Sequence, residues 1–362
     1  MKPWWVRLLK VVLVACGVLF GVLVLLVAFA GSVYWFEQRR LADDLPPPVA
    51  SRRVLRSFTL ADPYAYPGQW YKVQLHAHTS RSLDSRLPPS ESLAEYRRQG
   101  FDFLFISDHD VATPASLTGP DGRTPAGKEL IVLPAVESTV PLVLPFIGQH
   151  LLRLFDTHPV AGGAQARIAA TRRAGGLAVL AHPAWEGNAG AGRWLIRDVT
   201  HLAGYSAIEV VSPYADWDAD LRIWQAAAVR RGPRAPVWLT AADDSHRRDM
   251  IGKAWVMVKA ERRSGPALKA ALARGSFYPT TGATPSFGVR AGELCASAKA
   301  PLTVRFVDAR GAVRAQRQTV AGGSATYRPV GDEVFVRMEV SAPDGRRAWS
   351  QPFWLVQGGT GQ

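Results

Sequence analysis

The chain has 362 residues, enough for one large domain and a smaller one, and its hydrophobic content of 48% suits a globular core plus a membrane segment. Cys16 lies in an apolar run and Cys295 has no intrachain partner, which excludes a disulfide framework and a cysteine-rich zinc site. The net charge of +13 fits either a solvated arginine-rich surface or attraction to anionic lipid or an anionic substrate. No nucleic-acid-binding motif occurs, so we expect no nucleic-acid partner.

The N-terminal segment has the features of a membrane anchor. Basic residues in the segment 1–10 precede an apolar run at residues 11–33, and about 20 apolar residues are needed to span a bilayer. The triplet Ala28-Phe-Ala30 offers a cleavage site, so a cleaved signal peptide remains an alternative. Basic residues before the run favour a cytoplasmic N-terminus. We predict a single-pass inner (cytoplasmic) membrane protein whose globular part lies on the periplasmic, extracytoplasmic side.

Beyond this run, residues 34–66 are predicted to be a linker that contains the stiff segment Leu45-Pro-Pro-Pro-Val49. From Tyr71 onward, apolar runs alternate with helical patterns. Strands are predicted near 71–75, 102–106, 131–136, 177–181, 207–211 and 236–241, and helices near 89–99, 163–174, 214–231 and 265–274. This alternation predicts a parallel α/β architecture, without distinguishing a closed barrel from an open sheet.

The pattern changes after Gly275. Strands are predicted at 301–307, 324–327, 333–341 and 348–356, with turns at 308–311 and 342–345 between them. Short strands joined by turns are typical of antiparallel sheets. We therefore predict a small C-terminal antiparallel β module over residues 277–362.

Two histidines follow the first predicted strand. Side chains two residues apart on a strand point the same way, so His76 and His78 converge. Converging imidazoles suit zinc, manganese or iron. Most other candidate ligands also stand where an apolar strand ends, the position at which parallel α/β barrels place their chemistry. These candidates are Asp84, Asp108, His109, Glu137, His150, His182, Asp244 and His246.

In their order, these residues resemble the motif of the PHP (polymerase and histidinol phosphatase) superfamily of metal-dependent hydrolases. That motif is HxH, an acid or histidine six residues on, DH, Glu, two separated histidines and DxH. The match extends from about Tyr71 to Ala260, and its residue pattern is most similar to that of the branch that includes carbamate hydrolases. The resemblance implies a distorted (β/α)7-type barrel, which we assign to residues 67–276.

The resemblance also implies two or three divalent transition metals (Zn, Mn or Fe) and no organic cofactor. One metal would be held by His76, His78, Glu137 and Asp244, a second would share Glu137 and add His150 and His182, and a third would use Asp84, His109 and His246. Between two cations that share a carboxylate, a water loses its proton near neutral pH, so a metal-bound hydroxide is the expected nucleophile. Besides the ligands Glu137 and Asp244, we expect Asp108 to take part by orienting His109 or another ligand.

Residues near the ligands leave further alternatives open. Asp243 is expected to be a neighbour and not a ligand, Asp110 either caps the next segment or touches substrate, and His158 and His201 fall outside the motif. Side chains that either line a substrate pocket or simply pack are Trp185, Tyr214, Trp217, Arg247 and Arg248.

The predicted function is a membrane-anchored metal-dependent hydrolase, preferably a phosphoesterase. A carbamate or amide hydrolase is the alternative within the superfamily, and a non-enzymatic exported binding protein on a PHP scaffold is the alternative from another class. We expect a small-molecule substrate, with an anionic one favoured by the positive charge, and the bilayer as a second partner through the N-terminal helix. The sequence does not indicate an oligomeric state.

Overall fold

The computed structural model describes residues 3–42, 54–114, 129–144, 147–185, 192–213 and 215–357. The segment Leu45–Val49 and Tyr214 lie outside these ranges. The helices are α1 (Trp4–Ala42), α2 (Pro89–Arg98), α3 (Ala164–Arg173), α4 (Ile196–His201), α5 (Trp217–Arg231) and α6 (Gly265–Ala273). The strands are β1 (Phe58–Ala61), β2 (Gln69–Gln74), β3 (Phe103–Ile106), β4 (Ile131–Leu144), β5 (Ile147–Leu154), β6 (Leu177–Leu180), β7 (Ala207–Val211), β8 (Trp238–Ala241), β9 (Trp255–Ala260), β10 (Phe277–Thr280), β11 (Ser286–Arg290), β12 (Glu293–Ser297), β13 (Leu302–Asp308), β14 (Val313–Thr319), β15 (Ser324–Tyr327), β16 (Phe335–Ser341), β17 (Arg347–Trp349) and β18 (Phe353–Gln357).

The N-terminal helix α1 is longer than the apolar run from which it was predicted. Its stretch Trp4–Ser32 has the length and composition to cross a membrane, as either a membrane span or a signal sequence would. Large apolar side chains along it, such as Leu19 and Leu25, are exposed. The helix continues to Ala42, into the segment that we predicted to be a linker.

Parallel strands form the centre of the sheet, as the alternation of strands and helices predicts. β2, β3 and β4 are parallel neighbours, and so are β6, β7 and β8. Between the two groups lies β5, which is antiparallel to both β4 and β6. β3 and β8 are buried along their whole length, because a parallel strand in this class of fold is covered on both faces.

Two features of this part differ from the sequence prediction. The strand predicted at 131–136 runs on to Leu144 and turns back as β5, which was not predicted because Gln149, His150 and Arg153 interrupt its apolar pattern. β9, which pairs antiparallel with β2, was also missed. The fold is therefore mixed α/β with parallel and antiparallel strands in one sheet.

Backbone hydrogen bonds join the segment that follows β2 to the segment that follows β8. The amide of Asp244 donates to the carbonyl of His76 over 3.1 Å, and the amide of His78 donates to the carbonyl of Ser245 over 3.0 Å. The C-terminal ends of the first and last strands of the central sheet therefore meet. This meeting brings the HxH and DxH motifs together.

The strands from β10 onwards are antiparallel, and most of them continue the same sheet. β10 pairs with β9 on one side and with β17 on the other, and β16 connects β13, β17 and β18. β11, β12 and β15 form a separate three-stranded sheet. β1 pairs with β18, so the predicted linker 34–66 contains a strand whose partner lies almost 300 residues further along the chain.

A C-terminal side chain also completes the edge of β8. The Gln351 side chain accepts a hydrogen bond from the amide of Leu239 over 2.9 Å and donates one to its carbonyl over 2.8 Å. Both Gln351 and Leu239 are fully buried. A buried backbone donor or acceptor must be paired, so this amide does for β8 what a neighbouring strand would do.

Candidate metal centre

The structure brings all the predicted ligand positions to one end of the central strands. His76 and His78 follow β2, Asp108 and His109 follow β3, His182 follows β6, and Asp244 and His246 follow β8. Glu137 and His150 instead lie within the β4–β5 hairpin. Glu137 was expected at the end of a strand, and its position inside β4 results from the extension of that strand into the hairpin.

Four of these side chains form a compact set of ligand atoms: His76 Nε2, His78 Nε2, Glu137 Oε2 and Asp244 Oδ1. The two imidazole nitrogens are 3.0 Å apart. His76 Nε2 lies 3.1 Å from the Glu137 oxygen and 3.2 Å from the Asp244 oxygen, and His78 Nε2 lies 3.1 Å from each. A tetrahedron of ligands with bonds of about 2.0–2.1 Å to zinc has edges of about 3.3–3.4 Å. These five distances are therefore close to the edges of a tetrahedral metal site.

The remaining ring nitrogens of the two histidines are held by other side chains. His76 Nδ1 contacts Glu209 Oε2 at 3.0 Å, and a carboxylate can only accept, so Nδ1 carries the hydrogen. His78 Nδ1 contacts Ser82 Oγ at 3.1 Å, and this hydroxyl donates its own hydrogen to Asp108. In both rings, Nε2 is therefore the atom left to bind a metal.

The electrostatics of this set favour a bound positive charge. Burial lowers the pKa of His78, but the neighbouring Asp244 and Glu137 carboxylates raise it to about 9. Burial raises the pKa of Glu137, but His76, His109 and His150 lower it to well below its ordinary value. Two buried carboxylates thus face these imidazoles, and either protons or cations must balance their charge.

A second group of ligand atoms lies nearer the solvent. Asp84 Oδ2 is 3.2 Å from His109 Nε2 and 3.1 Å from His246 Nε2, as the predicted third metal position requires. The structure adds His78 to this group. The side chains of Asp84, His109 and His246 are 47%, 22% and 19% exposed, whereas Glu137 is 1% exposed. The centre therefore opens towards solvent on the Asp84 side.

Glu137 faces histidines with both of its oxygens. Its Oε1 lies 3.2 Å from His150 Nδ1 and 3.5 Å from His182 Nε2, and its Oε2 lies 3.3 Å from His109 Nδ1. The ligand atoms that lie together here are those of His109, Glu137 and His150, and the predicted ligand His182 lies beside Glu137 but outside this group. His109 also contacts Asp84. Among the described residues, neither oxygen of Glu137 has a hydrogen-bond partner of good geometry. A carboxylate in this position can bridge two cations.

Three of the five non-glycine residues with positive φ among the described residues lie at or beside this centre. The non-glycine residues Asp110, His182 and Asp244 have positive φ angles of 52°, 24° and 46°. Such conformations are unfavourable for residues with a Cβ atom, and they cluster at functional sites.

No family model matches the chain, and no curated protein matches it. Among solved structures, a two-domain protein from Bacteroides vulgatus named as containing a predicted PHP-like metal-dependent phosphoesterase is similar, with a TM-score of 0.45 and 15% identity over 83% of this chain and 98% of that one. An amidohydrolase from Chromobacterium violaceum matches with a TM-score of 0.35 and 16% identity over 48% and 87% of the two chains. A lesion-specific endonuclease from Pyrococcus furiosus matches with a TM-score of 0.36 and 14% identity over 57% and 56%.

The first of these proteins is described as PHP-like, and PHP is the superfamily whose motif the ligand pattern resembles.

Asp108 lies behind the ligand atoms and supports them. It accepts hydrogen bonds from the amide and hydroxyl of Thr79 at 2.6 and 2.7 Å and from Ser82 Oγ at 3.1 Å. Ser82 Oγ in turn accepts from the amide of His109 at 2.9 Å. Asp108 therefore positions the loop and the hydroxyl that orient His78 and His109, and it does not join the groups of ligand atoms.

Glu209 is the functional candidate that we did not predict from the sequence. It lies on β7, is buried, and contacts His76 Nδ1, which makes a carboxylate–histidine pair of the kind that orients metal ligands. The feature of the sequence that could have indicated its role is a single acidic residue in the apolar run Ala207-Ile-Glu-Val-Val211. Glu209 Oε1 has no hydrogen-bond partner among the described residues.

Other residues near the ligands have structural roles. The Asp243 carboxylate accepts from the amides of Gly252, Lys253 and Ala254 at 2.6–2.8 Å, and burial raises its pKa to about 6. Trp217 packs edge-on against Trp349, with ring centroids 5.8 Å apart, and so acts in packing.

The other candidates for substrate contact differ in their surroundings. The ring centroid of Trp185 lies 5.1 Å from that of His182 and 5.9 Å from that of His150, so Trp185 borders the centre. Arg247 and Arg248 are exposed and pair with Asp249 and Glu95, each at 3.2 Å.

Asp110 and the two histidines outside the motif have contacts that do not involve the groups of ligand atoms. Asp110 Oδ1 accepts from the amide of Thr139 at 3.1 Å, and so links the loop after β3 to β4. His158 is 83% exposed and pairs with Asp156, and His201 is exposed and contacts the carbonyl of Arg197. Neither histidine belongs to the groups of ligand atoms.

Proposed function

We propose that this chain is a membrane-anchored, metal-dependent hydrolase of the PHP type that holds two or three divalent transition metals. The observation that carries the proposal is the close spacing, at 3.0–3.2 Å, of the two imidazole nitrogens His76 Nε2 and His78 Nε2 from each other and from Glu137 Oε2 and Asp244 Oδ1. The donor set of imidazole and carboxylate suits Zn, Mn or Fe. A binding protein without catalytic activity is the less favoured alternative, because it has no need of a complete set of ligands.

The proposed ligands are His76, His78, Asp84, His109, Glu137, His150, His182, Asp244 and His246. Bound cations would activate a water for attack and neutralise the charge that develops on the substrate. The chain itself fixes the geometry: Glu209 and Ser82 orient the two imidazoles of the HxH motif. Substrate would enter on the exposed Asp84 side, because the opposite side is buried.

We infer that the substrate carries an anionic phosphoester. Arg81 and Arg86 flank Asp84 in the loop on the open side of the centre, and both are exposed. Arginine is well suited to phosphate recognition because its planar guanidinium matches the phosphate oxygens. A carbamate or amide hydrolase is the alternative. It is supported by the resemblance of the motif residues to the branch of the superfamily that includes carbamate hydrolases.

We also propose a division of the globular part into a barrel and a C-terminal module. The joined segments after β2 and β8 fit a distorted (β/α)7-type barrel over residues 67–276, and the antiparallel strands that follow fit a C-terminal module over residues 277–362.

The preference for phosphoesters predicts a ratio of rates. Full-length protein in detergent with Mn²⁺ or Zn²⁺ is expected to hydrolyse a 4-nitrophenyl phosphoester with kcat/KM at least about tenfold above that for the matched 4-nitrophenyl carbamate, a difference of about 1.4 kcal/mol in transition-state stabilisation. Replacing both Arg81 and Arg86 by alanine should raise KM for the phosphoester and leave that for the carbamate unchanged. A higher kcat/KM for the carbamate would select the alternative function.

Anchoring predicts a defined topology. Because basic residues precede the apolar run of α1, we expect a reporter that is active only in the periplasm to be active when fused after residue 60, and the fusion to remain with the membrane fraction. A fusion of the same reporter after residue 10 is the control and should be inactive. Release of the first fusion into the soluble periplasmic fraction would show that α1 is a cleaved signal.

A further inference from the structure

The loop that presents His182 is held in an unfavourable backbone conformation. It follows β6, and His182 has a φ of 24°. His182 is buried, and its Nε2 lies 3.5 Å from Glu137 Oε1 and 3.8 Å from Asp244 Oδ2. A strained backbone persists only when its surroundings hold it in place. Some contact outside the loop must therefore fix it.

A carboxylate on α5 makes that contact. Asp220, in the first turns of α5, accepts a hydrogen bond from the amide of Ala184 over 2.7 Å. Ala184 lies two residues after His182, so this bond ties the ligand loop to the helix. Close by, Trp185 forms an isolated bridge with Ala215, just before α5.

The burial of Asp220 requires an explanation. The residue is 0% exposed, and its Oδ2 has no hydrogen-bond partner among the described residues. Burying a carboxyl group with few hydrogen bonds is unfavourable, and an apolar side chain would fill the same space without that penalty. The acceptor that Asp220 supplies to the His182 loop accounts for an acid at this position.

The helix that carries Asp220 is itself firmly placed. Leu221 and Trp224 of α5 belong to a core cluster that also contains Trp349 from β17. At the start of α5, Trp217 Nε1 donates to the carbonyl of Ser212 over 2.8 Å. The hydrogen bond that Asp220 accepts from the Ala184 amide therefore ties the loop to a helix whose own position is fixed.

We propose that Asp220 is a positioning residue, which holds the His182 imidazole where it completes the metal position beside Glu137 by fixing the Ala184 amide. The inference rests on the proposed function, since it assigns a metal to His182. An outer residue that orients a metal ligand typically contributes about 10–100-fold to metal affinity.

The test is a metal titration of the full-length protein stripped of metal. Co²⁺ is added with a competing chelator, and visible absorption reports the number, affinity and coordination of the bound ions. Asp220→Ala and Asp220→Val remove the acceptor, and the second variant avoids a cavity if the first does not fold. Asp220→Asn keeps an oxygen that can accept from Ala184. Asp216→Ala removes the N-terminal cap of α5, where Asp216 accepts from the amides of Asp218 and Ala219, and keeps the acceptor that Asp220 offers to the Ala184 amide.

We expect Asp220→Ala and Asp220→Val to lower the affinity for one of the bound Co²⁺ ions by about 10–100-fold. The absorption band of that ion should also change, because His182 is released. Asp220→Asn should bind Co²⁺ within about threefold of the wild-type affinity, a residual difference of less than about 0.7 kcal/mol. Asp216→Ala should melt at a lower temperature, because a helix cap is lost, with unchanged Co²⁺ affinity.

Wild-type affinity in both Asp220→Ala and Asp220→Val would overturn the inference and leave the proposed function intact. So would an equal loss in Asp216→Ala, because general destabilisation of α5 would then explain it. Failure of the wild-type chain to bind any Co²⁺ would instead refute the proposed function, and the role of Asp220 with it.

Discussion

Replacing Glu137 by glutamine is expected to lower kcat/KM for hydrolysis by about a thousandfold or more, which corresponds to at least about 4 kcal/mol of transition-state stabilisation. Both carboxylate oxygens face imidazoles, and Oε2 belongs to the group of four ligand atoms with His76, His78 and Asp244. A neutral amide removes the negative charge and puts a donor where a cation should bind. Steady-state kinetics and elemental analysis of the same preparation would measure the loss of activity and of metal together.

Matched variants separate this effect from a general loss of histidine or acid side chains. His158→Ala and His201→Ala change exposed residues outside the centre and should leave activity unchanged. Glu209→Gln should lower metal affinity by about 10–100-fold, because Glu209 contacts the centre through His76 Nδ1 and is not itself a ligand. Equal losses from Glu137→Gln and His158→Ala would mean that the centre has been assigned to the wrong residues.

Most of the candidate ligand positions could be predicted at the end of a strand because they depend on local sequence. An apolar strand that ends in histidine or aspartate predicts both the strand and the end of the sheet at which the side chain lies. His76, His182 and Asp244 follow this rule, and all three lie near Glu137 or belong to its group. Their order along the chain supplied the rest of the prediction through the family resemblance.

The parts that could not be predicted depend on contacts between distant segments. β5 carries polar residues at Gln149, His150 and Arg153, because its neighbours in space, such as Thr171 and Asp198, provide their hydrogen-bond partners. The short strand β1 has too few residues to be recognised without its distant partner β18.

Side-chain roles were missed for the same reason. A lone acid in an apolar strand, such as Glu209, is recognisable as functional only when the histidine 133 residues earlier is seen beside it. Gln351 acquires its role only through Leu239, which lies 112 residues away.

Stripping the metal with a chelator is expected to abolish hydrolysis, and to change how the stability of the protein depends on pH. In the stripped protein, burial lowers the pKa of His76 but Glu137, Asp244 and Glu209 raise it well above the ordinary value, and the pKa of His78 is raised to about 9. A histidine whose pKa is raised on folding stabilises the folded state fully below its unfolded pKa of about 6.5. That stabilisation is lost as the pH rises through the folded pKa. The stripped protein should therefore melt at a lower temperature at pH 9 than at pH 6.5.

The loaded protein should behave in the opposite way over the same pH range. Metal binding requires deprotonated imidazoles, so affinity rises with pH, and a ligand that binds only the folded state stabilises it more as its affinity rises. The two carboxylates that face these imidazoles do not obscure the comparison, because the pKa values of Glu137 and Asp244 are lowered and both stay ionised from pH 6.5 to 9. Thermal melts at both pH values, with and without added Zn²⁺ or Mn²⁺, would measure the two trends, and readdition of either ion should restore hydrolysis. Parallel trends in the two forms would show that His76 and His78 exchange no protons for a metal, and the centre would then be a network of buried ion pairs without a cation.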